Sequence, residues 1–200
     1  MATAERGLRA ARNTAYLVAC AVCFAGPGHA AEDTLFVSKR ITPLGEYTSG
    51  IEGPAVDASG NLYAVNFQQS GTIGKLAAGA SQSQLFTSLP AGSIGNGIRF
   101  DRQGRMYIAD FKKHNVWVIE RGETTPHVYF HSDQFHQPND LAIAADGTLY
   151  ASDPNWKEST GQLWRIDRSG RVKQVATGMG TTNGIEVEPS TRATACPVTS

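Results

Sequence analysis

From Glu52 onward the chain alternates short apolar runs of about five residues with clusters of turn-forming residues. No window of ten or more residues beyond the first thirty carries the stripe of a helix. Residues 97–132 show the pattern most fully: GIRFD, RMYIAD, NVWVIE and HVYFHS are separated by DRQG, FKKH and RGETTP. Period-2 runs bounded by Gly, Pro, Asp and Lys predict four strands in succession, joined by tight turns. The unit then repeats. Glu52-Gly53-Pro54 with Gly60 and Tyr63 is echoed by Asn96-Gly97-Ile98 with Gly104 and Tyr107, and by Asn139-Asp140-Leu141 with Gly147 and Tyr150. A fourth start stands at Asn183-Gly184-Ile185, and the steps between starts are 44, 43 and 44 residues. Four strands per unit of 40–45 residues is the signature of a β-propeller blade. The expected fold is therefore all-β, with three four-stranded blades plus a partial fourth. Leucine-rich or ankyrin solenoids would need shorter periods and helices.

Strand geometry places the marked positions. Glu52, Asn96, Asn139 and Asn183 are each expected just before the first strand of a blade, at the central channel. The chain then turns at Gly60, Gly104 or Gly147 and returns to Asn66, Asp110 or Asp153 near the same mouth. Oxygen-bearing side chains thus converge from several blades, and carboxylate with amide oxygens suits a hard cation such as Ca2+. No thiolate or imidazole set favours a softer metal. Asn and Asp also bond their own backbone in turns, so Asn66, Asp110 and Asp153 read as structural, as does Asn96 on its own spacing. Glu52 breaks the Asn pattern, and a poor turn former at that position reads as a charge placed for a ligand.

The first thirty residues read differently. Arg6, Arg9 and Arg12 precede an apolar run, Thr14–Ala25, and Gly28-His29-Ala30 offers small residues for cleavage after Ala30. That is the pattern of a secretory signal; the run is short of the ~20 residues that span a bilayer. Two domains follow: a signal peptide, 1–30, and a partial propeller, 31–200, with a periplasmic or secreted destination. Leu17-Val18-Ala19-Cys20 offers lipidation at Cys20 as the competing reading. The whole chain has 200 residues, with 18 basic and 18 acidic groups. Removing Arg6, Arg9, Arg12 and Glu5 leaves 15 and 17, a net charge of −2. Nothing in that balance provides an electrostatic footprint for nucleic acid. Of three cysteines only Cys196 would remain, so no internal disulfide forms.

Glu52-Gly53-Pro54, Pro138-Asn139-Asp140 and Asn183-Gly184-Ile185, in that order and at blade spacing, resemble the senescence-marker-protein/gluconolactonase family, which includes regucalcin and bacterial lactonases. The resemblance covers roughly residues 45–189. It implies a six-bladed propeller holding one divalent metal, usually Ca2+ with Zn2+ or Mn2+ as alternatives, and hydrolysis of sugar lactones or related esters. On the matching motifs, Glu52 and Asn183 would bind the metal, and Asn139 would stand beside it as a further metal-site residue, contacting it directly or through water or substrate. Gln137 occupies a substrate-contacting position where some members carry Arg, and Asn96 is the other candidate substrate contact. The general base of such enzymes is a carboxylate from a later blade, expected beyond Ser200. A non-catalytic NHL-like propeller, binding a protein or glycan at its channel face, is the alternative.

The fourth unit loses its pattern after Pro189, where neither the hairpin Gly nor the Leu/Met-Tyr pair recurs. The expectation is a product truncated around Ser190, testable by reading other frames past that codon for G-x-L-Y-x-x-D. An open strand edge then invites pairing with another chain. His114, His127, His131 and His136 are expected at the surface, and Trp117, Trp156 and Trp164 between blades, with Trp156 also able to line a pocket. No G-x-S-x-G elbow, phosphate-binding loop or H-E-x-x-H helix is present.

Overall fold

The computed structural model describes residues 37–188 and 193–197; the signal segment and Cys20 lie outside them. The chain divides after Lys39, and all strands belong to the second unit, Arg40–Ser200. The described residues contain no helix. Blade 1 comprises β1 (Ala55–Val56), β2 (Leu62–Val65), β3 (Thr72–Leu76) and β4 (Gln84–Ser88). Blade 2 comprises β5 (Gly95–Phe100), β6 (Met106–Asp110), β7 (Asn115–Ile119) and β8 (His127–His131). Blade 3 comprises β9 (Asp140–Ile143), β10 (Leu149–Asp153), β11 (Gln162–Ile166) and β12 (Val172–Ala176). Each is an antiparallel meander with its strands in chain order. A last pair, β13 (Thr182–Val187) and β14 (Ala193–Pro197), starts a fourth sheet. The second strand of that pair forms in the region where the sequence pattern fades.

The side-chain alternation of each strand explains where the core sits. Met106, Ile108, Trp117 and Ile119 face blade 1 and cluster with Tyr63, Val65, Ile73 and Leu89. Their neighbours Tyr107, Ala109, Val116 and Val118 face the other way and cluster with Leu141, Leu149, Ala151, Trp164 and Ile166 of blade 3. Every residue of β6 and β7 is buried. These strands therefore read as continuous apolar runs, because a sheet covered on both faces has no wet side. The core lies between blades rather than within them. The third such cluster is smaller: Ala142 and Leu163 with Ile185 of β13. The outer strands β4, β8 and β12 are largely exposed.

Two sets of aspartates hold the turns. At the end of β6, fully buried Asp110 accepts from the backbone N–H of Ile94 (3.2 Å), Lys112 (3.1 Å) and Lys113 (3.0 Å). It also accepts from Asn115 Nδ2 (3.2 Å) and Trp117 Nε1 (2.9 Å). Asp153 repeats this at the end of β10, with the N–H groups of His136 and Gln137, Gln162 Nε2 and Trp164 Nε1. In blade 1 the pair changes together: Asn66 replaces the Asp, Gly74 replaces the Trp, and the Tyr47 ring packs against Gly74 and edge-on to Phe67. The structural reading of Asn66, Asp110 and Asp153 thus holds. Trp117 and Trp164 are buried between blades, whereas Trp156 is 41% exposed in the loop after Asp153, where no sheet reaches it. His114 is half-buried, and His127, His131 and His136 are exposed.

The second set sits in the opposite hairpins. Asp57, Asp101 and Asp167 each accept from the backbone N–H groups two and four residues onward. The Ser169 hydroxyl and the N–H and guanidinium of Arg171 hold the Asp167 carboxyl down at about 2. Burial pushes Asp101 and Asp57 up, but their hydrogen bonds to Arg105 and Asn61 outweigh it and leave both below the ordinary value.

Two outcomes follow. Asp110→Ala leaves five donors without their acceptor and is expected to cost about 3 kcal/mol in urea unfolding, against under ~1 kcal/mol for Asp146→Ala, whose carboxyl accepts from the Thr148 N–H at the surface. The depressed hairpin carboxyls contribute stability that is present above about pH 4, the unfolded value, and is lost as pH falls toward 2. Melting temperature should therefore drop over that window, and Asp167→Asn should flatten the drop.

Candidate metal and substrate site at the inner strands

The marked residues stand at the channel ends of the innermost strands, with one difference from the expected placement. Glu52 and Asn139 precede β1 and β9, but Asn96 and Asn183 lie inside β5 and β13. Both sit at register shifts, between Gly95 and Ile98 and between Thr182 and Ile185. The extra residue is a β-bulge, which bends the strand and re-aims side chains at its end.

Consecutive blades meet here backbone to backbone. Gly97 N–H donates to Asn139 O at 2.7 Å. A Cβ on Gly97 would lie 2.7 Å from Asp140 Cα and 2.9 Å from Asn139 O, so no side chain fits between β5 and β9. Likewise Gly53, at φ +55°, packs onto the Asn96 carbonyl with no room for a Cβ. The Asn139 N–H donates to Ser152 O (2.9 Å), and the Ser152 hydroxyl donates to Asn183 O. Glu52, Asn96, Asn139 and Asn183 are thereby strung along one line of contacts crossing the three blades and the β13–β14 pair. Glu52 is exposed, Asn96 and Asn183 are half-buried, and Asn139 is buried. Thr182 Oγ1, next to Asn183, is buried without a hydrogen-bond partner among the described residues.

Gln137 lies beside this line and is partly committed elsewhere: its N–H donates to Asp153 Oδ1 (2.7 Å), and its Oε1 accepts from the Trp156 N–H (3.1 Å). The backbone of Trp156 is thereby tied to the Gln137 side chain, while its ring is exposed. Sequence reasoning missed three residues that join the blades here: Arg99, Asp140 and Ser152. Asp140 carried a signal, because it replaces the Gly found after Glu52, Asn96 and Asn183. Burial pushes the Asp140 carboxyl up, partly offset by the Arg99 guanidinium 2.8 Å away.

The metal candidates Glu52, Asn139 and Asn183 offer one carboxylate and two amides, all oxygen ligands, which fits a hard cation. Among the described residues no three His, Cys, Asp or Glu side chains are grouped to hold a metal. A site here would thus rest on amide oxygens around a single Glu. The cavities of about 530 and 730 Å3 lie elsewhere, between blades at the hairpin end, lined by Asp101, Phe100 and Arg102 among others. No helix among the described residues is long and apolar enough to cross a membrane.

Comparison with known proteins gives one family: residues 51–194 match the SMP-30/gluconolactonase/LRE-like region. No curated protein matches the chain. Among solved structures, a gluconolactonase of Xanthomonas campestris is 17% identical with a TM-score of 0.61, covering 75% of this chain and 59% of its own. A calcium-binding regucalcin of Agrobacterium tumefaciens is 16% identical, TM-score 0.58, covering 76% and 55%. A virginiamycin B lyase of Staphylococcus aureus is 13% identical, TM-score 0.60, covering 74% and 49%. At these identities the likeness establishes the propeller fold, and the chain spans only about half to three-fifths of each of those proteins.

Proposed function

The chain belongs to the SMP-30/gluconolactonase/LRE-like family, and from that premise we propose that it acts as a divalent-metal-dependent hydrolase of sugar lactones or related esters. The observation that carries the reading is the line of contacts joining Glu52, Asn96, Asn139 and Asn183 across the three blades and the β13–β14 pair. In this reading Glu52, Asn139 and Asn183 hold the metal through oxygen, with Ca2+ favoured over Mn2+ or Zn2+. When bound, the cation supplies Lewis acidity, polarising the lactone carbonyl and lowering the pKa of an attacking water. Asn96 and Gln137 orient the substrate, each with an amide that pairs with sugar hydroxyls. The Agrobacterium regucalcin is a calcium-binding protein and the Xanthomonas protein is a gluconolactonase, which supports the metal and substrate class by likeness. The general base belongs, by the same resemblance, to a later blade than those described. Export by the 1–30 segment is part of the proposal and places the reaction in the periplasm or outside the cell.

Thermal melts test this directly. Ca2+ at about 100 times its Kd should raise the melting temperature by about 5–10 °C, and Glu52→Ala should remove that rise. Gluconolactone turnover, where present, should fall with Glu52→Ala as well. No shift with Ca2+, Mn2+ or Zn2+, or turnover indifferent to Glu52, would contradict the assignment and leave the binding propeller as the better reading.

A further inference from the structure

The residue after each marked position is Gly53, Gly97, Asp140 and Gly184. Only blade 3 spends that position on a side chain, and its carboxylate reaches both neighbouring blades. Asp140 Oδ2 accepts from Arg99 Nη2 of β5 at 2.8 Å and from the Ile185 N–H of β13 at 3.2 Å. Oδ1 accepts from the Leu141 N–H at 2.8 Å. The Asp140 N–H in turn donates to Ser152 Oγ (3.1 Å), whose hydroxyl donates to the Asn183 carbonyl. The segment Asn183-Gly184-Ile185 is therefore gripped on both sides of its bulge, at the carbonyl of the first residue by Ser152 and at the N–H of the third by Asp140. Ser152 also accepts from the Asn139 N–H, so both asparagines take their position from the same serine.

We propose that Asp140, working with Ser152, is a positioning residue that sets Asn183 against Asn139 so that the two amide oxygens address one cation. The inference rests on the metal-site reading above. Three features separate this arrangement from an ordinary surface ion pair. Asp140 is 14% exposed at its side chain and Arg99 27%. The partners lie 41 and 45 residues away, one in each adjacent blade. Finally, the register of β13 against β14 passes over Asn183 and Gly184, so the bulged residues have no partner residue in that strand. Residues that orient ligands without touching the metal commonly govern affinity by 10–100-fold.

The test uses the full chain and two readouts. Asp140→Gly installs the residue that the repeat carries elsewhere, and Asp140→Asn keeps the shape and one acceptor oxygen. Amide hydrogen exchange without metal should show Ile185 exchanging about tenfold faster in Asp140→Gly, with Ile108 in blade 2 unchanged. Calorimetric titration with Ca2+ should show Kd rising about 10–100-fold in Asp140→Gly and less in Asp140→Asn. Unchanged Ile185 exchange overturns the clamp, whatever the metal does. Faster exchange with an unchanged Kd overturns the positioning role while the metal site stands. Faster exchange in a protein whose wild type binds no Ca2+, Mn2+ or Zn2+ overturns the metal reading and the positioning role with it.

Discussion

No sheet of this protein has a core of its own. A four-stranded sheet can bury its apolar side chains only against another layer, and here each face of blade 2 is covered by a different neighbour. Ile108 and Trp117 of blade 2 pack against blade 1, while Tyr107 and Val116 on its other face pack against blade 3. Stability is thus shared along the array, as in other repeat proteins where each unit contacts only its neighbours. Blade 1 exposes Val56 and Ile51, and the third interblade cluster is small. The central blade is consequently the best buried, and both ends of the described array are less covered.

The same constraint positions the candidate site. Burying faces against one another forces the inner strands together at the channel, and their backbones approach closely enough for Gly97 N–H to bond Asn139 O. At Gly53 and Gly97 that approach leaves no room for a side chain, and the residues directly before them are Glu52 and Asn96. Site and packing are two readings of one repeat: the residue that must be small comes directly after the residue free to carry an oxygen ligand. Asp140 departs from the rule, and its carboxylate goes to the two blades beside it.

Much of this was legible in the sequence because it is locally encoded. Strand runs, hairpin turns and the 43–44-residue step depend on side-chain alternation and turn chemistry over a few residues, and the observed strands of blade 2 fall on the predicted runs. The bulges at Asn96 and Asn183 were not legible, since a bulge is defined by the partner strand's register. The bonds from Asp110 to Trp117 and from Asp153 to Trp164 span seven and eleven residues, so no fixed spacing announces them. Trp156 resembled the other two tryptophans in composition alone, and its loop carries it out of the interblade core. Asp140 was visible as an exception to the repeat, but its partners come from other blades.

In the proposed function the marked inner-strand positions form a cation site. Paramagnetic broadening by Mn2+ in NMR spectra of the full chain tests it most directly, because the effect falls steeply with distance from the ion. A cation held there should cause saturable loss of the Gly53, Gly97, Asp140 and Gly184 amide signals, reversed by excess Ca2+, with those of Gly60, Gly104 and Gly147 at the opposite hairpins unaffected. Broadening centred on the hairpin aspartates Asp57, Asp101 and Asp167, or no saturable broadening at all, would contradict it.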